Sequence, residues 1–158
     1  MAFSGSQRGN FHEFTIRNTC SPLFIEQIQK KNKQFYGTET ILVVEDERAI
    51  LHIIQIILTK FGYTVIAVSS SNEAFSIIQK NPDAIDLLIT DVIMPELNGS
   101  ELVEKIKLFR DDLKSLFISG YTSDIIPDIE KIDNSVNLLQ KPFSSKELSK
   151  KVREILDS

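Results

Sequence analysis

The sequence predicts an α/β fold, a doubly wound five-stranded parallel sheet of (βα)₅ form. From Thr40 onward, short apolar runs alternate with longer segments of helical period, which is the pattern of consecutive βαβ units. Two of the runs are apolar almost throughout, as expected for central strands covered by helices on both faces. Charged or hydroxylic residues follow four of the five runs, where open parallel sheets bind their ligands. A chain of 158 residues has the length of one such domain.

The apolar runs define the strands. We predict strands at residues 41–44, 64–68, 86–90, 116–119 and 136–139. The first and third contain almost only Ile, Leu and Val, so we expect them in the middle of the sheet.

The helices follow from spacing and from residues that start or stop a helix. We predict helices at residues 49–61, 71–81, 100–110, 124–132 and 144–155. Gly62 suits a helix C-terminus because glycine accepts left-handed dihedral angles. The fourth helix contains Pro127 and should be short or irregular. In the last helix, Leu148, Val152 and Ile155 should face inward. The flavodoxin-like strand order 2-1-3-4-5 is the expected arrangement.

Residues 1–38 do not share this rhythm and are predicted to be an N-terminal extension or linker, with the domain at residues 39–158. Ser21 and Pro22 favour the start of one helix reaching about Gln34, and a flexible leader is the alternative. The extension carries a net charge of +3 and the remainder −7.

Composition excludes several classes of partner and compartment. A net charge of −4 and a pI near 5.2 give no overall basic surface, so direct contact with nucleic acid or membrane is not expected. The single cysteine, Cys20, cannot form an internal disulfide, which fits a reducing cytosol. No apolar run approaches about 20 residues and no signal peptide begins the chain, so we expect a cytoplasmic location.

The residues that follow the strands carry the chemistry. They are Glu45-Asp46, Asp91, Ser119-Gly120 and Lys141-Pro142, whereas Ser69-Ser70 after the second strand reads as loop and helix-cap chemistry. Three converging carboxylates repel one another unless a cation neutralises them, and Mg²⁺ prefers such oxygen ligands. A carboxylate is also a nucleophile for phosphorus, and phosphoryl transfer needs cations around the transferred group. Lys141 can supply one of these cations.

Four stretches together resemble the receiver domains of two-component response regulators. They are Ile41-Leu42-Val43-Val44-Glu45-Asp46-Glu47, Asp91-Val92-Ile93-Met94-Pro95 with Gly99, Ile118-Ser119-Gly120-Tyr121-Thr122, and Gln140-Lys141-Pro142-Phe143. The resemblance covers residues 39–158, and its four motifs occur in order at the strand ends.

The resemblance implies a role for each site residue. Asp91 would be the phospho-acceptor, and Asp46, Asp91 and the backbone carbonyl of Ile93 would bind Mg²⁺ directly. Glu45 would act on the metal through water, Ser119 would contact the phosphoryl group and Lys141 would pair with it. Two positions depart from the family pattern: Glu45 stands where Asp is more frequent, and Leu138 replaces an aromatic switch residue, a role that Tyr121 could take instead.

Each of these residues also has a purely structural interpretation. Glu45 and Asp46 could be helix N-caps, Asp91 a turn acid, Ser119 a turn hydroxyl and Lys141 a solvated surface lysine. His52 is predicted to lie on the surface of the first helix.

The resemblance implies phosphorelay signalling, with a histidine kinase or a histidine phosphotransfer domain as partner. The stretch from Gly37 to Glu47 resembles the junction into the C-terminal receiver of hybrid histidine kinases, so the chain is either a stand-alone receiver or a fragment. No enzyme activity is expected beyond self-catalysed phosphoryl transfer and hydrolysis, and the sequence leaves the oligomeric state open. Two other classes remain: a hydrolase using an aspartyl-phosphate, which Ile93 disfavours because a second acid usually stands there, and a phosphorylation-independent interaction module.

Overall fold

The computed structural model of this chain describes residues 35–120 and 137–158. Its five strands are β1 (Thr40–Val44), β2 (Thr64–Val68), β3 (Leu87–Asp91), β4 (Lys114–Ser119) and β5 (Leu138–Gln140). The helices of the described ranges are α1 (Arg48–Lys60), α2 (Ser71–Lys80), α3 (Gly99–Lys107) and α4 (Ser145–Asp157), with a short 3₁₀ turn at Pro82–Ala84.

The strands form one parallel sheet in the order β2-β1-β3-β4-β5, which confirms the predicted fold class and strand order. β1 and β3 lie inside the sheet, as their apolar sequences predicted. The register places Asp91 beside Ile118 and Ser119 beside Gln140. The carboxyl ends of β3, β4 and β5 therefore lie along one edge of the sheet.

Alternate residues of each strand point to opposite faces of the sheet, and each face is covered by a different pair of described helices. On one face Leu42, Val44, Leu88 and Phe117 pack with α2 and α3. On the other face Ile41, Val43, Leu87 and Ile89 pack with α1 and α4. As predicted, Leu148, Val152 and Ile155 of α4 are buried in this second core, and His52 is exposed.

Local hydrogen bonds explain where two helices begin and where one ends. α3 and α4 start with capping boxes, in which Asn98 pairs with Glu101 and Ser144 with Glu147. α3 ends at Lys107, three residues before the predicted end. Past that end, the guanidinium of Arg110 donates to the carbonyls of Pro82 and Ile85 and so ties the chain to the turn before β3.

Residues 35–39, which we call the N-terminal clamp, pack against the chain between α1 and β2. The rings of Phe35 and Tyr36 contact Phe61 edge-on, and the Tyr63 hydroxyl donates to the Phe35 carbonyl at 3.0 Å. Gly62 has a φ of +93°, a conformation that glycine adopts without strain. The clamp is thus held by aromatic packing and by backbone hydrogen bonds.

The same segment is joined to α4 by an ion pair. Arg153 Nη2 lies 2.7 Å from Glu39 Oε1 and 2.8 Å from Asp157 Oδ1. The hydrogen bond from Arg153 holds the pKa of Glu39 below its usual range. The start of β1 and the last turn of α4 are therefore adjacent.

The predicted helices at residues 21–34 and 124–132 lie outside the described residues, as do Cys20, Tyr121 and Val136. Among the helices of residues 35–120 and 137–158, none combines the length and the apolar character required to cross a membrane.

Candidate functional site

The carboxyl edge of the sheet brings three acidic side chains together. Carboxylate oxygens of Glu45, Asp46 and Asp91 all lie within 4.8 Å of one another. Glu45 and Asp46 follow β1, and Asp91 ends the neighbouring strand β3, so the strand order accounts for the cluster. Neither acid after β1 is a helix cap, because the N-cap position of α1 is Glu47 and no side chain caps that helix.

Glu45 is almost completely buried, with 1% of its surface exposed, because it continues the buried run of β1. Its Oε2 accepts a hydrogen bond from Lys141 Nζ at 2.7 Å, and its Oε1 accepts one from the Glu47 backbone N–H at 3.2 Å. Burial raises the pKa of Glu45, because the hydrogen bond from Lys141 only partly offsets the lost hydration and the charge of Asp91 acts in the same direction as burial.

Lys141 is the cation of this cluster. Its Nζ donates to Asp91 Oδ2 at 2.6 Å and to Glu45 Oε2 at 2.7 Å, and its backbone N–H donates to the Ser119 carbonyl at 2.8 Å. Burial by itself would lower the pKa of Lys141, but the hydrogen bonds to the two carboxylates outweigh burial and raise it. Lys141 is therefore not a solvated surface lysine. The peptide bond to Pro142 is cis.

Asp91 stands at the centre of the site with its two oxygens in different roles. Oδ1 accepts from the Ile93 backbone N–H at 2.9 Å, and Oδ2 accepts from Lys141. A Cβ added at Gly99 would lie 2.1 Å from the Asp91 carbonyl oxygen, so only glycine allows the first residue of α3 to approach this strand end. The Asp91 side chain remains 13% exposed, which leaves it accessible to a reactant.

Asp46 is exposed and lines a cavity of about 110 Å³ beside the cluster. The other lining residues come from the loops after β2 and β3: Ser69, Ser70, Ser71, Met94, Pro95 and Glu96. Asp46 thus connects the carboxylate cluster to a neighbouring cavity.

Ser119 and Ile93 complete the residues predicted from the sequence. Ser119 ends β4 with 1% of its surface exposed, beside the site through its backbone bond to Lys141. The Ile93 side chain is 61% exposed and projects from the loop after Asp91. Contact between Ser119 and a phosphoryl group stays a prediction.

One interaction at this edge was missed by the sequence analysis. Ser70 occupies the N-cap position of α2 but makes no capping bond, and its hydroxyl instead donates to Glu96 at 3.2 Å. Asn72 donates to the same carboxylate at 2.8 Å. The predicted strand order was the only indication of this contact in the sequence. It implies that the loops after β2 and β3 meet across the end of β1.

The donor set fits a hard divalent cation. It consists of carboxylate oxygens from three side chains within bridging distance, with one open flank at Asp46. Mg²⁺ prefers such oxygens and retains waters in its octahedral shell. Asp46 and Asp91 are the side chains that can hold it, because they are at least partly exposed whereas Glu45 is buried.

Several known proteins are similar to this chain. The family model of the response regulator receiver domain matches residues 41–153. The sensor kinase CckA of Brucella abortus is 34% identical over 132 residues, which are 84% of this chain and 14% of that kinase. The response regulator SaeR of Staphylococcus aureus is 28% identical over 73% of this chain and 50% of its own length.

Among solved structures, the receiver domain of the hybrid histidine kinase CckA superposes with a TM-score of 0.63. Its sequence is 35% identical to this chain, over 74% of this chain and 98% of that domain. The chain thus spans nearly the whole of a solved receiver domain but only a small part of the sensor kinase.

Proposed function

Because this chain belongs to the response regulator receiver family of two-component signalling, we propose that it accepts a phosphoryl group on Asp91 from a phosphohistidine, in a reaction that requires Mg²⁺. The observation that carries this proposal is the arrangement of Asp91 between the Lys141 ammonium at 2.6 Å and the Asp46 carboxylate. Receiver domains of this family bind Mg²⁺ in an acidic pocket, and Glu45, Asp46 and Asp91 form one here.

In the proposed reaction an Asp91 carboxylate oxygen attacks phosphorus, a P–O bond forms and the P–N bond to the donor histidine breaks. Asp91 is positioned for attack because Lys141 and the Ile93 N–H, which donate to its two carboxylate oxygens, fix the side chain in place. Bound Mg²⁺ would supply positive charge to the phosphoryl oxygens, with Asp46, Asp91 and the Ile93 carbonyl as its ligands.

The other residues act through position and charge. Lys141 can transfer its hydrogen bond from Asp91 Oδ2 to a phosphoryl oxygen, a charge-assisted contact stronger than a neutral one. Ser119, at the end of the neighbouring strand, would donate its hydroxyl to the same group. These changed contacts would propagate through β4 and β5 to the surface that partners recognise.

A groove beside Lys141 supports a helical kinase or phosphotransfer partner. Ile50, Ile53, Pro142 and Phe143 line it together with Lys141, and its volume is about 360 Å³. Ile53 is 52% exposed, so an amphipathic helix presenting a phosphohistidine could bury apolar surface there.

The proposed phosphoryl transfer would take place in the cytoplasm, where ATP-dependent kinases are phosphorylated.

The test is a mass measurement with a small phosphodonor. Incubation with acetyl phosphate and Mg²⁺ should add one phosphate to the intact protein, and Asp91→Asn should abolish the gain because the amide is not nucleophilic. Asp83→Asn, which changes an exposed aspartate of the 3₁₀ turn, is the matched control and should label normally. Labelling that survives Asp91→Asn would refute the assignment.

The mass measurement and a phosphomonoester turnover assay together separate the alternative classes. A hydrolase would release phosphate from a phosphomonoester over many turnovers, whereas a receiver should retain one equivalent. A phosphorylation-independent module would gain no mass at any Mg²⁺ concentration.

A further inference from the structure

The loop between β3 and α3 carries the Ile93 carbonyl, which the proposed function makes a cation ligand. Within residues 92–98 this loop is attached to the domain at few points. Val92 N–H donates to the Ile118 carbonyl at 3.1 Å, Met94 is buried in the core, and Gly99 N–H donates back to the Val92 carbonyl at 3.0 Å. These contacts secure the two ends of the loop and one side chain.

A set of long-range hydrogen bonds secures the middle of the loop. Ser70 Oγ and Asn72 Nδ2 both donate to Glu96 Oε2, at 3.2 and 2.8 Å, and Ser71 Oγ donates to the Leu97 carbonyl at 2.7 Å. All three donors belong to the β2–α2 junction, 24 to 26 residues earlier in the chain. We call the Ser70–Glu96–Asn72 pair of bonds the loop bridge.

The strand order explains why this bridge matters for the site. β2 and β3 are not neighbours, since β1 lies between them. Their loops can therefore meet only across the end of β1, where Glu45 and Asp46 stand. The cavity of about 110 Å³ lies where these loops meet, because Asp46 lines it together with Ser70 and Glu96.

We propose that Glu96 is a positioning residue for the divalent cation. Through the loop bridge it fixes the loop that carries the Ile93 carbonyl relative to Asp46 and Asp91. The inference rests on the proposed function, since it concerns the same cation. Glu96 stands outside the carboxylate cluster of Glu45, Asp46 and Asp91, so the role assigned to it is to hold the loop and not to bind the cation.

Both hydrogen bonds of the loop bridge end on a single carboxylate oxygen of Glu96. Substitutions can therefore test the hydrogen bonds separately from the negative charge. A glutamine carbonyl oxygen has two lone pairs and can accept both bonds in place of Glu96 Oε2. Glu96→Gln should therefore keep the bridge and lose the charge, whereas Glu96→Ala loses both. The Ser70→Ala, Asn72→Ala double variant removes the bridge and keeps the charge.

The experiment is an Mg²⁺ titration of each variant, in which binding is measured from the amide NMR shifts around the acidic cluster. We expect Glu96→Ala and the Ser70→Ala, Asn72→Ala variant each to weaken Mg²⁺ binding about tenfold, the low end of the effect of removing outer-shell partners. The triple variant, which combines Glu96→Ala with Ser70→Ala and Asn72→Ala, should bind Mg²⁺ no more weakly than either of these variants. Glu96→Gln should bind like wild type, as should Glu104→Ala, which removes an exposed acid of α3.

Two further measurements distinguish a change in the position of the loop from a general loss of stability in the domain. In EDTA, amide hydrogen exchange at Met94, residue 96 and Leu97 should accelerate in Glu96→Ala while exchange in β1 stays unchanged. Labelling by acetyl phosphate should require more Mg²⁺ for half-maximal rate, with the maximal rate retained at saturation.

The outcomes separate the inference from the proposed function. If wild type labels and binds Mg²⁺ but Glu96→Ala binds it equally well, the inference is overturned and the function stands. If Glu96→Gln weakens binding as much as Glu96→Ala, the residue acts by charge and the positioning role is also overturned. If wild type shows neither saturable Mg²⁺ binding nor labelling, the proposed function fails and the inference fails with it.

Discussion

Replacing Lys141 with alanine should destabilise the metal-free protein in a manner that depends on pH. Lys141 Nζ is the donor shared by Glu45 and Asp91, at 2.7 and 2.6 Å, and the Glu45 side chain is only 2% exposed. Alanine leaves two carboxylates close together, one of them buried without a counter-charge. A buried acid that loses its partner must either remain charged at a cost or take up a proton.

The structure sets the expected magnitude. Two unit charges about 5 Å apart repel by roughly 3 kcal/mol at an effective dielectric constant of about 20. Truncating one member of a buried pair typically costs about 3–5 kcal/mol, and partial protonation of Glu45 should relieve some of this. We therefore expect Lys141→Ala to lower the free energy of unfolding by about 3 kcal/mol at neutral pH, a decrease in Tm of about 6–12 °C for a chain of this length.

The pH dependence follows from the raised pKa of Glu45. A group whose pKa is higher in the folded state than its ordinary value of 4.5 contributes stability below that value and loses it as pH rises through the folded pKa. Loss of the Lys141 hydrogen bond raises this pKa further, because that bond favours the charged carboxylate. Asp91 and Asp46 face the same space and repel the charged form. The deficit of the variant should thus be small near pH 4.5 and largest above neutral pH.

The assay is thermal unfolding in EDTA from pH 4.5 to 8, repeated with Mg²⁺. Mg²⁺ should raise the Tm of Lys141→Ala more than that of wild type, since a cation replaces the missing ammonium. Lys146→Ala, an exposed lysine five residues later, is the control, and adding Glu45→Gln to Lys141→Ala should recover most of the loss. A deficit equal at all pH values, or no larger than that of Lys146→Ala, would refute the reasoning.

Two further predictions concern the lifetime of the phosphorylated form and the N-terminal clamp. Ile93 is exposed beside Asp91 and, being apolar, cannot orient an attacking water. Ile93→Asn should therefore shorten the lifetime of phospho-Asp91 about tenfold, measured as first-order phosphate loss with Mg²⁺ and no kinase. Ile53→Asn is the control, and an unchanged rate in Ile93→Asn would place water access elsewhere. Gly62→Ala should cost about 2 kcal/mol of unfolding free energy, because φ is +93° and the added Cβ would lie 2.6 Å from the Gly37 carbonyl oxygen. Gly120→Ala, whose added Cβ meets no atom of residues 35–120 and 137–158 within 4 Å, should melt like wild type, and equal melting of the two variants would contradict this account.

The sequence predicted those parts of the fold that depend on repeated patterns. β1 and β3 were recognised because unbroken runs of Ile, Leu and Val indicate strands buried on both faces. α4 was recognised because Leu148, Val152 and Ile155 recur at helical spacing. The meeting of Asp46 and Asp91 was predictable as well, since parallel strands deliver their carboxyl ends to one edge.

Features set by single tertiary contacts were not predictable in this way. α3 was expected to continue to residue 110, but it ends at Lys107 and Arg110 binds the carbonyls of Pro82 and Ile85. The sequence of the helix itself contains no pattern that predicts these bonds. Ser70 was interpreted as loop and cap chemistry, but its hydroxyl reaches Glu96 instead. Both cases depend on a partner 25 or more residues away, whose position exists only once the sheet is assembled.

The ion pair between Glu39 and Arg153 bears on how this domain can be joined to other polypeptides. It places Glu39 Oε1, in the residue before β1, 2.7 Å from Arg153 Nη2 in the last helix, so β1 begins close to where the last helix ends. A host protein could therefore accept the domain in one of its surface loops without separating the flanking residues, and a short linker could join the native ends while new ones are opened elsewhere. Circular permutants opened at the turn between α2 and β3, remote from Asp91, should retain the acidic pocket.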